Sequence, residues 1–423
     1  MASVAPTASA GPIMVDGVPL KQRLAKAERN KRITALAMVA PLLLFIIFSF
    51  VVPIGDMLFR SVDNPRFSLL MPETTAGLAQ WNPKESDLPP EEVFASLHKE
   101  LLALREAGDI GKIASRLNYE MSGARSLITK SGRKFKRIKK GPYTKAIIKA
   151  DKRWGRKKTW ATIKVASEPK TASFYLASID KKYDENLDIV NQAESRQIYV
   201  TLFLRTLKIS GLVLLICLLM GYPIAYLMAT LPTKTSNLLL ILVLLPFWTS
   251  LLVRTTSWIV LLQTEGVLND IFVWIGLISD ESRIQMIYNE TGTLIAMSQI
   301  LLPFMVLPLF SVMKTIPLSQ LRASQSLGAN PFLTFIKIFL PQSVPGVGAG
   351  GLLVFVLAVG YYITPALVGG PTGQLISNMI AFHMRSSLNW GLAAALGTVL
   401  LIGVLVLYWI YNKVIGIDRM RLG

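Results

Sequence analysis

Several long apolar stretches constrain this chain more than any other feature of its sequence. A helix needs about 20 mostly apolar residues to cross the roughly 30 Å hydrocarbon core of a bilayer, and six windows meet that requirement. Only 17% of the 423 residues are charged, against about a quarter in a typical soluble domain. The sequence therefore predicts an all-α polytopic membrane protein with six transmembrane helices. The predicted spans are 33–55, 202–230, 237–262, 291–313, 343–368 and 390–412.

Few residues in the chain suit catalysis or metal binding. The single cysteine, Cys217, lies within a predicted span, so an intrachain disulfide is excluded. Two histidines, His98 and His383, are too few for a convincing metal site. The first apolar stretch starts too far from the N-terminus, and is too long, for a cleaved signal peptide. We therefore predict a membrane protein that is not an enzyme and binds no metal.

The distribution of charge indicates the orientation. Basic flanks of a span stay in the cytoplasm, and residues 21–32, directly before the first span, include six basic residues and one acid. Six crossings would return the C-terminus to the same side, so we expect both termini in the cytoplasm. The expected division is a basic tail (1–32), a first transmembrane helix (33–55), an external insert (56–200), a membrane core (201–412) with a cytoplasmic loop (315–342), and a cytoplasmic tail (413–423).

The insert is unusually basic. Residues 60–200 contain 27 Lys and Arg against 17 Asp and Glu, and residues 131–158 are the densest part. Long loops cross a membrane largely regardless of charge, so an external insert is allowed. The interpretations are a solvated surface, a surface for anionic lipid headgroups or an acidic partner, and nucleic-acid binding, which an external position disfavours. The aromatic residues among these charges are Phe135, Tyr143, Trp154 and Trp160.

The fold expected for the insert is a small α/β or mainly helical domain. A helix-like stretch follows Pro89 and Pro90, within 83–104. Short strands are expected at 163–165 and 174–176, and a mobile linker at 63–87.

The connection between predicted spans 4 and 5 has the pattern of a helical hairpin. Pro317 suits the first turn of a helix, and Gly328 is the expected left-handed residue at its end. Asn330 and Pro331 suit the N-cap and the first turn of a second helix, which Pro341 is expected to end. One stripe along the first helix is predicted to contain Leu321, Ser324, Leu327 and Gly328, with Ala323 beside it.

This hairpin resembles the EAA loop of ABC importer permeases. The family pattern is EAA, three residues, Gly, nine residues and I-x-L-P; here Gly328 precedes an I-x-L-P that ends at Pro341, and Ala323 matches the central alanine. Arg322 replaces the family's glutamate, and Ser324 its second alanine. The resemblance implies that the hairpin docks on an ATPase subunit. The implied ATPase-coupling residues are Leu321, Arg322, Ala323, Ser324, Leu327, Gly328 and Ala329.

Further motifs are similar to those of spermidine/putrescine-type permeases. They are FSFVVPIGDMLFRSV at the end of the first span, GYPIAY at 221–226, LPFWTSLLVR at 245–254, YITPALVGG at 362–370 and NWG at 389–391. The resemblance implies the type I importer permease fold, a location in the inner membrane of a bacterium, and import of a polyamine or a similar small organic cation. It also implies a second permease subunit in a heterodimer, an ABC ATPase dimer, a periplasmic substrate-binding protein and membrane lipid as partners, with no nucleic acid. ATP would be held by the ATPase subunits and no cofactor by this chain, which has no G-x-x-x-x-G-K-[ST] loop.

Aromatic and polar residues in the outer parts of the spans are candidates for a transport path, because aromatic faces attract organic cations. Packing between helices is the alternative. Arg254 is costly inside a span; it either faces a cavity and pairs with an acid such as Glu265, or extends to the interface. The candidate path residues are Trp248, Thr249, Arg254, Tyr361, Tyr362 and Thr364. The candidate acids of the external mouth, or ordinary loop charges, are Asp56, Glu265 and Asp270.

Other functions remain open on the sequence alone. ABC import of an opine, a choline-like compound or an amino-acid derivative fits the same motifs. A secondary transporter or channel predicts inverted repeats and an ionisable site at mid-membrane, and neither is evident. A membrane-anchored scaffold that acts through its basic insert would leave the hairpin without a purpose.

Overall fold

A computed structural model describes Met14–Val15 and residues 18–415, with side chains for 26–413. Five of its helices are long and apolar enough to cross a membrane, and a bent helix pair is a sixth candidate. This confirms the predicted all-α polytopic architecture. The candidate spans, numbered in chain order, are Lys26–Arg60, Tyr199–Thr230, the bent pair Thr233–Trp248 and Leu251–Leu261, Glu290–Thr315, Pro331–Gly360 and Trp390–Lys413.

The chain divides into two structural units between Phe59 and Arg60. The first unit contains span 1, in which apolar side chains such as Phe48 are exposed, as expected of a helix that faces lipid. Asp56 belongs to this unit and is exposed. The elements of span 1 and the segment before it are strands Met14–Val15 and Val18–Pro19, helices Leu20–Ile46 and Val52–Arg60, and the π-helical turn Ile47–Val51 between them.

Spans 2, 4 and 5 form the centre of the second unit, where span 4 packs along both of the others. Small residues make this close packing possible. A Cβ added at Gly350 of span 5 would lie 3.0 Å from the Met305 carbonyl oxygen of span 4, and one at Gly221 of span 2 would lie 3.0 Å from Met305 Cγ. The buried side chains around them include Ile209, Val213, Met297, Leu309 and Val354.

Two spans are interrupted where the sequence predicts continuous helices. Span 3 consists of two helices bent by 96°, because Pro246 cannot donate to the helical ladder and the Ser250 hydroxyl caps the second helix by accepting from Val253 N at 3.2 Å. Span 5 ends at Gly360 instead of continuing to 368. The remaining helices of the membrane core are Val267–Trp274, Leu318–Ser326, Ile363–Val368, Gly370–Gly373 and Ile376–Arg385, with 3-10 turns at Leu245–Trp248 and Asp280–Ser282.

The insert is mainly helical, which is one of the two predicted alternatives; the other is a small α/β domain. The expected strands at 163–165 and 174–176 are wrong, since both segments are helical; the strands are Lys181–Tyr183 and Ile189–Asn191, which pair antiparallel. Its helices are Pro65–Leu70, Pro72–Gln80, Glu91–Glu106, Ile110–Glu120, Ala124–Lys134, Tyr143–Ala150, Lys157–Ser167 and Ser173–Ser178, with 3-10 turns at Phe135–Arg137, Lys152–Gly155 and Glu194–Arg196.

An aromatic core holds the insert together. Phe94 and Trp160 pack edge to face with their ring centroids 4.5 Å apart, and Trp154 and Phe135 are fully buried. These rings face the core and are not available to stack on nucleic-acid bases. The expected mobile linker at 63–87 is also wrong, because it folds into helices whose apolar side chains enter the same core. They are Phe67, Met71, Leu78 and Trp81.

The insert contacts the membrane core at the starts of spans 2 and 6. The buried Asp180 carboxylate caps the start of span 2 by accepting from the backbone N–H groups of Ile198, Tyr199 and Val200 at 2.9 to 3.1 Å. The Phe174 ring lies against the start of span 6, where a Cβ added at Gly391 would come within 2.4 Å of it.

Candidate coupling hairpin and transport path

The hairpin before span 5 has the predicted caps. Gly328 has φ +90° after the helix Leu318–Ser326, a conformation that glycine adopts without steric cost. The Asn330 side chain accepts from Leu333 N at 2.7 Å and begins the second helix. A short helix, a sharp corner and a second helix therefore form as the sequence predicts.

Pro341 does not end the second helix, contrary to the sequence-based expectation. Helical structure runs without a break from Pro331 to Gly360, so the second helix of the hairpin is the start of span 5. A π-helical turn at Phe335–Phe339 precedes the proline. A π-helical turn shifts the backbone hydrogen-bond pattern, so the helix continues although the proline has no N–H to donate. A displacement of the hairpin is therefore transmitted directly to span 5.

The predicted stripe on the first helix is divided between two faces. Leu321 and Ser324 are half-buried, and the Ser324 hydroxyl lies 3.1 Å from the Thr334 hydroxyl of the second helix. Arg322, Ala323 and Gly328 are exposed, and the Leu327 side chain is 88% exposed. Ala329 is half-buried.

Four aromatic rings connect the hairpin to span 2. Tyr226 packs edge to face against Phe335 and Phe339, with centroids 5.6 and 5.0 Å apart, and Tyr222 does so against Phe335 at 6.1 Å. The Tyr222 hydroxyl lies 2.8 Å from the Ser343 hydroxyl. Sequence reasoning missed this contact, although both pairs have the i, i+4 spacing that places side chains on one helical face.

The interruptions of spans 3 and 5 meet at buried threonines. The Thr364 hydroxyl lies 3.4 Å from that of Thr255, and both residues are fully buried. The break in span 5 is stabilised by the helix Ile376–Arg385: the Tyr361 carbonyl accepts from the Ser377 hydroxyl at 2.6 Å, and that of Tyr362 from Asn378 Nδ2 at 2.8 Å. Tertiary contacts thus replace helical hydrogen bonds, a substitution that the apolar pattern of the sequence does not reveal.

Arg254 lies at the bend of span 3 and does not pair with Glu265. Its Nη2 donates to the Thr249 carbonyl at 3.3 Å, and its guanidinium lies 6.0 Å from the Phe247 ring centroid. Its Nε is buried without a hydrogen-bond partner among the described residues. Trp248 beside it is 75% exposed.

A second arginine near the candidate path was missed by the sequence analysis. Arg385 Nη2 donates to the Tyr362 hydroxyl at 3.1 Å, and its guanidinium lies 5.5 Å from the ring centroid. Because Arg385 lies outside the predicted spans, the only available signal was its position four residues before the NWG motif.

Two of the three candidate acids of the external mouth, Glu265 and Asp270, lie in the loop between spans 3 and 4. Asp270 forms an ion pair with Arg283 at 2.8 Å, and Asp280 pairs with the same arginine at 2.7 Å. Glu265 is exposed and lines a cavity of about 460 Å³ with these residues. Asp270 is thus partly neutralised. Asp56 belongs to the other structural unit.

Comparison with known proteins decides the family. The pattern of the family described as binding-protein-dependent transport system inner membrane component matches residues 221–415. The spermidine/putrescine transport system permease protein PotB of Escherichia coli is 36% identical over 215 residues, which are 50% of this chain and 78% of that protein. PotB of Haemophilus influenzae is 37% identical over 221 residues, 52% of this chain and 77% of that protein.

The chain belongs to the family of binding-protein-dependent transport system inner membrane components. Members of this family are multi-pass inner-membrane permeases of ABC importers, a class of transport proteins and not of enzymes. The matched region contains the hairpin and spans 3 to 6 and excludes the insert. Among solved structures, a bacterial ABC transporter that imports the acidic polysaccharide alginate has a chain with a TM-score of 0.45, 20% identity, and coverage of 54% of this chain and 81% of that one.

Proposed function

We propose that this chain is one of two permease subunits of an ABC importer for a polyamine or a similar small organic cation. The observation that carries the proposal is the identity of 36–37% to spermidine/putrescine permeases over more than three quarters of their length. A second permease completes the path, an ATPase dimer binds the ATP, and a periplasmic binding protein delivers the substrate. The charge distribution supports cytoplasmic termini and an external insert.

The hairpin supplies the contact with the ATPase. Several large apolar side chains are exposed on it, and Leu318, Leu327 and Phe332 are the most exposed; exposed apolar surface is typical of a protein–protein contact. Phe335 and Phe339 of the same hairpin contact span 2. ATP-driven movement of the ATPases therefore displaces spans 2 and 5 together, and the path alternates between two states with different access.

The bends of spans 3 and 5 form this chain's half of the path. The exposed Trp248 offers an aromatic face for an ammonium group, an interaction of about 0.5–2 kcal/mol. Arg254 favours a second candidate substrate class, since its buried Nε has no partner among the described residues. A carboxylate would satisfy that donor, so an opine or another amino-acid derivative is the alternative.

Uptake by cells tests both candidates. A host without its own polyamine uptake would express this chain with the subunits encoded beside it, and accumulation of labelled spermidine would be measured. We expect uptake that unlabelled putrescine inhibits and that an opine or choline does not. Inhibition by the opine alone would overturn the polyamine assignment and support the carboxylate-bearing class.

A matched pair of variants tests the docking surface. Leu327→Asp places a charge on the apolar tip and should abolish uptake. Leu277→Asp alters a leucine that is 69% exposed in the loop between spans 3 and 4 and should leave more than half of the uptake. Equal uptake by both variants would contradict docking through the hairpin.

A further inference from the structure

A cavity of about 220 Å³ lies between the insert and the start of span 6. Three arginines from different parts of the sequence line it, Arg60, Arg66 and Arg116. One acid, Asp63, also lines it. Three positive side chains and one negative side chain therefore line a concave site outside the bends of spans 3 and 5, and Glu120 forms an ion pair with Arg116 beside it.

Arg116 is the fixed element of this cavity. It is 3% exposed, its Nε donates to Asn64 Oδ1 at 2.6 Å, and its Nη1 donates to Glu120 Oε1 at 2.9 Å. Its guanidinium also lies 5.0 Å from the centroid of the Phe174 ring. These contacts hold the planar group in one orientation before any ligand arrives.

One donor of Arg116 is unsatisfied. Its Nη2 is buried and has no hydrogen-bond partner among the described residues. An unsatisfied buried donor of a charged group costs more than about 1 kcal/mol, so Arg116 has a hydrogen-bonding capacity that its protein neighbours do not use. Glu120 Oε1 binds Nη1 and also accepts from Ser173 Oγ at 2.7 Å.

Two residues of the kinds that are typical of a membrane interface line the cavity. Trp390, which also lines it, is the first residue of span 6 and is 45% exposed. Arg60 is the last residue of the span 1 helix. Tryptophan and arginine at the ends of apolar helices are typical of the membrane interface, where phospholipid phosphates lie. Tyr119 fixes the facing loop by donating to the Ser387 and Leu388 carbonyls at 3.1 and 3.2 Å.

We propose that this cavity binds a phosphate group. Arginine guanidinium groups bind phosphate through charge-assisted hydrogen bonds. The exposed Arg66 can offer a pair of donors, and the buried Arg116 adds a positive charge and its one terminal nitrogen that has no partner among the described residues. The phosphate belongs either to an anionic phospholipid of the surrounding leaflet or to a free phosphate ion. Either ligand ties the insert to the start of span 6 and stabilises the junction.

The test compares lipid retention by the purified importer complex in nanodiscs. Native mass spectrometry would count the phosphatidylglycerol retained from an equimolar mixture with phosphatidylcholine. Arg66→Gln removes an exposed arginine of the cavity, and Lys139→Gln removes a charge of the insert that does not line it. We expect Arg66→Gln to reduce the preference for phosphatidylglycerol about tenfold, as for a lost charge-assisted hydrogen bond, and Lys139→Gln to leave it unchanged.

Arg116→Lys keeps the buried charge and removes the guanidinium fork, so it should weaken retention in a complex that still folds. A parallel titration of inorganic phosphate into phosphatidylcholine nanodiscs, followed by thermal unfolding, distinguishes the sources. A phosphate-dependent rise in Tm that Arg66→Gln removes would assign the site to the free ion. Equal losses in Arg66→Gln and Lys139→Gln, or no lipid preference and no phosphate effect in the wild type, would overturn the proposal.

Discussion

Tyr226 of span 2 packs edge to face against Phe339 of the hairpin, with the two ring centroids 5.0 Å apart and the planes at 86°. Such aromatic pairs contribute about 0.5–1.5 kcal/mol beyond the area they bury. Phe339 is 2% exposed, so the contact is internal to the permease. The hairpin continues into span 5, and this contact joins it to span 2 as well.

Loss of the neighbouring contacts of Phe335 with Tyr222 and Tyr226 should uncouple ATP hydrolysis from uptake. Phe335→Ala removes the ring shared by Tyr222 and Tyr226 but leaves the exposed tip intact. We expect the ATPase to remain bound and uptake to fall several-fold, measured as uptake per ATP hydrolysed in proteoliposomes. Phe48→Leu, at an exposed position in span 1, serves as the control. An unchanged ratio in Phe335→Ala would show that the rings do not transmit the movement.

The corner of the hairpin depends on a left-handed backbone at Gly328. A Cβ at this position would have nothing within 4 Å, so the cost of substitution comes from the φ of +90°. Gly328→Val should therefore abolish uptake, since β-branched residues avoid this conformation. Gly328→Asn should retain most of it, because asparagine tolerates positive φ. Similar losses in both variants would indicate that the side chain, and not the backbone, is what the site excludes.

Asp180 should be the most sensitive residue at the junction of the insert and span 2. Its carboxylate accepts from three backbone N–H groups at the start of span 2 and interacts favourably with the helix dipole. Asp180→Ala should lower the free energy of unfolding by about 1–2 kcal/mol, detectable as a lower Tm in detergent. Asp188→Ala breaks an exposed pair with Lys84 and should change little. Equal effects would refute the capping role.

His383 should make the junction of the insert and the membrane core sensitive to acid. Burial lowers the pKa of its imidazole, and its two ring nitrogens lie 2.9 Å from the Tyr199 hydroxyl and 2.8 Å from the Ser387 hydroxyl. The unfolded chain then binds a proton below about pH 6.5 while the folded chain does not. Stability contributed by His383 is therefore complete above this pH and is lost as the pH falls.

The corresponding measurement is Tm at a series of pH values from neutral to mildly acidic. The wild type should lose stability on acidification, and His383→Gln, which keeps hydrogen-bonding capacity without titrating, should lose less. Equal pH dependence in the two proteins would exclude His383 as the titrating group.

Those elements that local rules determine are predictable from the sequence. The apolar windows predict the spans, and Gly328 and Asn330 predict the caps of the hairpin, because caps depend on residues within one turn. Continuity through Pro341 was not predictable, since a π-helical turn compensates for the missing donor. The breaks at Gly360 and in span 3 depend on partners distant in sequence, such as Ser377.

The insert also contains elements that its local sequence does not determine. Residues 163–165 and 174–176 are apolar runs that suit a strand or a buried helix equally, and length alone does not distinguish them. The segment 63–87 has the prolines of a linker, yet Phe67 and Leu78 are fully buried against the aromatic core. Of the candidate path residues, Thr364 pairs with Thr255, whereas Arg254 does not make the expected pair with Glu265.

Photocrosslinking from Leu327 tests the central claim most directly. A photoactivatable phenylalanine analogue replaces Leu327, which is 88% exposed, and a second variant carries the analogue at Leu388 as the control. After irradiation of membranes, we expect an adduct between this chain and a nucleotide-binding ATPase subunit from position 327 alone. Absence of that adduct, with the chain purifying free of any ATPase, would contradict its assignment as the permease of an ABC importer.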